Sequence, residues 1–251
     1  MLVRETELNG SYLNSRRIDN IVHTVVTFPE VAISGLKYWP RQMLDYFGTC
    51  WETDGTFPFN EAELKEMFEA LKAENGQIIQ STSIADYLPS IKDTRYLGGQ
   101  PSTEEGLLNS CDNFHISQAG DGRSFLSLVS FEMDALDALG ATTIVGKPGA
   151  VYASHDALYV GVRHYASGMD RWYFEDPENN SEATTVHKFG LSSDSIDTEY
   201  RGSGAAKGRI LNQFSMDELD GHLRIATTMG RVPDPTVHST LSVSGICRPF
   251  P

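Results

Sequence analysis

One phrase occurs three times in this chain in different letters: an apolar strand, a short polar turn, then an alternating strand. Its clearest copy is ILNQFSMDELDGHLRIATT at 210–228; the others are VYASHDALYVGV at 151–162 and YLNSRRIDNIVHTVVT at 12–27. In the clearest copy Leu223, Ile225 and Thr227 alternate with His222, Arg224 and Ala226. Such alternation marks a strand with one buried face. Asp220-Gly221 between the two strands is a hairpin signal, because both residue types tolerate positive φ. A lone hairpin is marginal in water. Three of one kind therefore confine the chain to a series of small antiparallel sheets that bury their faces against one another.

Repeated sheets of this kind build β-propellers, in which one blade takes about 40–50 residues. The fold class expected is all-β, with about three blades or part-blades in one domain over 1–251. The gap between the first and second copies is too long for one blade, so residues 29–122 are read as a helical and loop insertion. Within it, 60–76 predicts a helix. Asn60 is its N-cap and Glu63 completes a capping-box start, Leu64, Met67, Phe68 and Leu71 form the apolar stripe, and Gly76 ends it. A shorter helix is expected near 40–47, with Met43, Leu44 and Phe47 inward. Residues 96–102 read as loop, 112–117 as the start of a strand, and SFLSLVSFEM at 124–133 as a central strand. Two roles fit the insertion: a lid over one face, or extra packing without a ligand.

The segment GRILNQFSMDELDGHLRIATT resembles the hallmark of a family of secreted bacterial and archaeal β-propeller proteins, distantly related to WD40 repeats. ELNGSYLNSRRIDNIVHTVV is similar to an earlier blade of that family, and AVYASHDALYVGV to an intervening one. The resemblance implies an exported propeller, secreted or in the cell envelope. The family has no established common activity, so no catalytic residue is carried over. Family members are longer, and here STLSVSGICRPFP at 239–251 begins as a strand and then loses the pattern. A truncated gene fragment is the expectation this raises, and truncation would also account for a start, MLVRETE, that lacks an apolar signal segment.

The net charge is −14, which argues against nucleic acid as the partner; Arg16-Arg17 is the only compact basic pair and reads as a solvated turn. No apolar run is long enough to span a bilayer. The cysteines, Cys50, Cys111 and Cys247, form no C-x-x-C. In an exported protein Cys50 and Cys111 are a disulfide candidate; the alternative is two unpaired thiols.

Chemistry is sparse. No G-x-S-x-G, H-E-x-x-H or H-x-H occurs, so neither a serine nucleophile nor a metal site is indicated. Gly202-Ser203-Gly204 reads as an inter-blade linker. The acidic runs 217–220 and 175–180 lack the oxygen-ligand order of a calcium loop, and the second would hold calcium only loosely; no other cofactor is expected. Aromatics at Trp172, Tyr173 and Phe174, and at Tyr38, Trp39, Tyr46, Phe47 and Trp51, serve packing or stack on a partner. The candidate ligand-binding residues are His155, Asp156, Asp217 and Asp220, all at blade turns. The role expected is a non-catalytic scaffold or binding module for a protein or glycan. The alternatives are a glycan hydrolase or lyase acting through those four residues, and a fragment without independent function.

Overall fold

The computed structural model describes residues 2–30, 32–48, 58–96, 98–135, 139–166 and 181–244. In chain order the strands are β1 (Arg4–Leu8), β2 (Ser11–Ile18) and β3 (Ile21–Phe28). Two helices follow, α1 (Arg41–Gly48) and α2 (Glu61–Ser81). Next come β4 (Ser90–Arg95), β5 (Ser102–Leu107), β6 (Phe114–Asp121), β7 (Phe125–Glu132) and β8 (Leu139–Gly146). The last are β9 (Ala150–Ala153), β10 (Ala157–Tyr165), β11 (Glu182–Gly190), β12 (Glu199–Lys207), β13 (Met216–Leu219), β14 (His222–Met229) and β15 (His238–Ser244). They form four sheets, ordered β1-β4-β5, β2-β3-β7-β8-β6, β9-β10-β11-β12 and β13-β14-β15.

The three repeated phrases are the first hairpins of three of these sheets: β2-β3, β9-β10 and β13-β14. Each puts its first strand at a sheet edge, and β9 lies against both β2 and the 3-10 turn Gln213–Ser215 that precedes β13. All pairings are antiparallel except β6 with β8. The chain is all-β apart from the two helices. The fourth sheet, β1-β4-β5, lies outside the repeated phrases.

β10 shows why the sheets stack. Leu158, Val160 and Val162 pack with Val25, Leu126, Leu128 and Ile144 of the five-stranded sheet, and with Phe189. Ala157 and Tyr159 point the other way, against Ile210, Met216, Leu223 and Ile225. Period-two alternation thus gives one strand two buried faces, one for each neighbouring sheet. Gly161 continues the second face, where a Cβ would lie 2.6 Å from Ile210 Cδ1. Glycine there is a packing requirement.

β3 pairs β7 without interruption from Ile21↔Glu132 to Phe28↔Phe125. The chain between them carries α1, α2 and three strands, of which β4 and β5 pair with β1. Residues 31–88 form a compact unit of their own; 1–30 and 89–251 form the other. In the first unit Asn60 and Glu63 make the reciprocal capping box at 3.0 and 2.9 Å. Several readings need correction. α2 does not stop at Gly76 but runs to Ser81, because Gln77-Ile78-Ile79-Gln80 are adequate helix formers and one glycine inside a helix costs only about 1 kcal/mol. In α1 Met43 is buried, but Leu44 and Phe47 are exposed. Gly202-Ser203-Gly204 is no linker: it lies inside β12, where Gly202 (φ +128°) marks the slip in register opposite Lys188 and Phe189.

His23 on β3 is fully buried, with Nδ1 2.7 Å from Ser130 Oγ. Burial lowers its pKa from the usual 6.5, and the same holds for His115. The unfolded chain then takes up protons that the folded chain refuses, so stability must fall as pH drops below about 6.5. His155 works in the opposite sense but is fully exposed. The urea midpoint is expected to be lower at about pH 5 than at pH 7, and His23→Gln to flatten that difference. An equal pH slope in the variant would contradict the assignment to His23.

Candidate functional site

The first two repeated hairpins face each other at their turns, and the second turn is tied to strand β13 of the third hairpin. Asp220 and Gly221 both take positive φ, 52° and 75°, and turn β13 into β14; Asp19, at 49°, does the same between β2 and β3. Asp and Gly were chosen for this backbone before any ligand is considered. Between β9 and β10, Ser154 closes the turn: its Oγ accepts from the Ala157 amide at 3.1 Å.

Glu218 on β13 ties the third hairpin to the β9-β10 turn. Ser154 Oγ donates to its Oε2, Lys188 Nζ stands 3.4 Å from its Oε1, and its own amide donates to Tyr152 Oη at 3.1 Å. Glu218 and Lys188 side chains are only 10% and 14% exposed. Lys188 also lies 5.2 Å over the ring of Tyr159, which stacks on Tyr152 at 6.0 Å. A cation over an aromatic face, closed by a carboxylate, fixes β11 of one sheet to β13 of the next. Because neighbours alternate, Asp217 faces away from this network and pairs with Arg224, its cross-strand partner.

The turn of the first hairpin faces that of the second across a cleft of about 410 Å³, lined by Arg16, Arg17, Ile18, Asp19, Ala153, Ser154 and His155. His155 Nδ1 is 2.6 Å from Asp156 Oδ1, and this hydrogen bond and charge raise the imidazole pKa above 6.5, with a smaller push from Asp19. Arg17 Nε donates to the Asp19 carbonyl at 2.7 Å.

Of the four candidate residues, His155 lines this cleft and Asp156 is hydrogen-bonded to it. Asp217 is engaged by Arg224 on the other side of its strand, and the exposed Asp220 offers its carbonyl to His222 Nδ1 at 2.9 Å. Arg16, Arg17, Lys188 and Glu218 were not among the candidates. Glu218 was legible only as part of an acidic run; strand alternation, applied inside that run, separates it from Asp217. Cys111 is exposed in a 3-10 turn, while Cys50 and Cys247 lie outside the described residues, as do Trp51, Trp172, Tyr173, Phe174 and the run 175–180. Among the described residues no group of three His, Cys, Asp or Glu could hold a metal ion, and no helix is long and apolar enough to cross a membrane.

A second cleft, of about 440 Å³, lies between β1 and the β3-β7 pair. Val3, Leu8, Val129, Phe131, Met133 and Leu139 give it an apolar wall. At its edge Asp93 accepts from Arg4 Nε at 2.7 Å, Thr6 Oγ1 at 2.8 Å and Arg95 Nε at 3.2 Å. Burial pushes the Asp93 carboxyl up, but these bonds and the Arg4 charge outweigh it and hold it below 3.8.

Comparison with known proteins adds the following. A family model described as "Beta propeller domain" matches residues 1–244. An uncharacterised protein of Archaeoglobus fulgidus is 37% identical over 59 residues, which are 23% of this chain and 10% of that protein. An uncharacterised protein of Methanocaldococcus jannaschii is 41% identical over 58 residues, 23% of this chain and 8% of that protein. The matched stretch thus spans a tenth or less of either relative. No solved structure matches.

Proposed function

We propose that this chain, which belongs to the beta propeller domain family, is a non-catalytic binding module whose ligand face is the set of turns of the three repeated hairpins. The observation that carries this reading is the Ser154–Glu218–Lys188 network, which fixes the β9-β10 turn and β11 to β13 of the next hairpin. Loops on a rigid scaffold can recognise a ligand without ordering themselves first. Glu218 is occupied by Ser154 and Lys188, and Asp217 by Arg224, which removes both carboxylates from acid–base work on a substrate. A protein or glycan partner outside the cell, or in its envelope, accords with the family resemblance of the three phrases.

Thermal unfolding of the full chain against a panel of small glycans, peptides and calcium tests the proposal. A ligand that binds only the folded form raises the midpoint by mass action. A shift with one probe class, abolished by changes at the hairpin turns, supports the reading. Turnover of any glycan would overturn it in favour of a hydrolase or lyase, and failure to melt cooperatively would favour a fragment.

A further inference from the structure

The edge of a sheet presents backbone N–H and C=O groups to any strand that reaches it, and proteins that stay apart blunt their edges with charged side chains. Among the described residues six of the eight edge strands carry such a charge: Glu5 in β1, Arg17 in β2, Glu105 in β5, Asp121 in β6, Arg201 in β12 and Asp217 in β13. β9 carries none, but it is only four residues long and lies against β2. β15 is different. Its seven residues, HSTLSVS, hold no Lys, Arg, Asp, Glu, Gly or Pro, and among the described residues β14 is the only strand paired with it. In the neighbouring sheet the third strand, β11, is flanked on both sides, by β10 and β12.

We infer that β15 pairs with β15 of a second copy of this chain, antiparallel, about a two-fold axis that sets Leu241 opposite Leu241. The side chains of the strand match themselves in that register. Directly opposite residues of an antiparallel pair share a face, so a two-fold axis normal to the sheet must set one residue opposite itself. Leu241 is the middle of the strand and gives complete overlap. Ser239 then meets Val243 and Thr240 meets Ser242. Leucine faces leucine, hydroxyl faces hydroxyl, and no like charges are opposed, which is how cross-strand pairs stabilise a ladder.

Both faces of the strand accept this partner. Leu241 is the cross-strand neighbour of Ala226, on the sheet face opposite the buried Leu223 and Ile225. Leu241 and Val243 are 69% and 62% exposed there, and pairing would extend an apolar row across the joint from Ala226 of one copy, through both Leu241 side chains, to Ala226 of the other. Thr240 and Ser242 are on the other face, at a cleft of about 580 Å³ that Gly204 and Ala206 of β12 also line. Residues that small leave space for a strand beside β15. β13, which carries Glu218, is at the opposite edge of the sheet, so the pairing does not touch the Ser154–Glu218–Lys188 network. The net charge of −14 repels a second copy at long range, and salt screens that repulsion.

Sedimentation equilibrium of the full chain over a range of concentrations tests the pairing. The mean mass should rise from 27.7 kDa toward twice that value and level there, more readily in about 0.5 M than in about 0.05 M salt. Leu241→Lys sets two like charges opposite each other and should weaken association by about tenfold or more, as should Leu241→Glu. Mixed in equal amounts, the two variants should associate again, because unlike charges then meet across the axis. Leu107→Lys, on the exposed and already charged edge β5, should change nothing. Leu241 and Leu107 are both exposed, so the variants are expected to keep the urea midpoint of the parent chain. A chain that stays monomeric at every concentration overturns the inference. So does association that Leu241→Lys leaves intact, or lysine and glutamate variants that do not recover on mixing. A mass that climbs past the dimer without levelling means a contact that does not close, and overturns it too.

Discussion

Replacement of Phe189 by alanine is expected to destabilise the sheets by about 3–5 kcal/mol. Phe189 is completely buried on β11, where it packs with Leu126, Leu128 and Ile144 of the neighbouring sheet and with Leu158, Val160 and Val162 of its own. Tyr200 leans on its ring at 5.5 Å. Removing the ring forfeits its transfer from water and leaves a cavity that strands paired on both sides cannot collapse into. Domains have total stabilities of only about 5–15 kcal/mol, so the variant should approach the unfolding threshold. Urea denaturation followed by far-ultraviolet circular dichroism reads this as a lower midpoint with an unchanged slope. A loss under about 1 kcal/mol would mean that the core around β11 is looser than described.

Glu218→Ala should be the second large effect. It leaves the Lys188 ammonium with 14% exposure and no carboxylate partner, over Tyr159. An uncompensated charge in such a place costs about 3 kcal/mol or more. The companion variant Lys188→Met/Glu218→Leu removes both charges and should recover most of that loss, because a well-packed apolar pair is often as stable as a buried ion pair. A double-mutant cycle measures the coupling directly. If the double change were as damaging as the single one, packing at this joint, and not charge, would hold β11 against β13.

The repeated hairpins were legible because their alternation is dictated by burial on at least one face, and β7 because its buried run is nearly continuous. The sheet β1-β4-β5 was not. β5 reads STEEGL, exposed throughout, and β4 reads SIKDTR, so neither shows an apolar row. What locks β1 to β4 besides the ladder is polar, the Asp93 carboxylate with Arg4 and Thr6, and such pairs leave no periodic trace. The same reasoning covers the site. Asp217 and Glu218 are equal as letters, and only the strand geometry sends one to Arg224 and the other to Ser154 and Lys188. Arg16-Arg17 was visible as a basic pair; what the sequence could not supply was the second turn opposite it, which comes from another sheet.

The unbroken ladder between β3 and β7 also bears on the order in which the molecule folds. His23 and Ser130 face each other although 107 residues separate them, whereas Asp217 and Arg224 are 7 apart. Closing the longer loop costs roughly 2 kcal/mol more in chain entropy, and non-local pairing is slow. The β13-β14 hairpin should therefore gain amide protection early and β3-β7 late, which pulsed hydrogen exchange during refolding would resolve; simultaneous protection would contradict that order. Until β7 arrives, β3 carries its buried row, Ile21, Val25, Val26 and Phe28, unshielded, so the interval before closure is when this chain is most open to self-association.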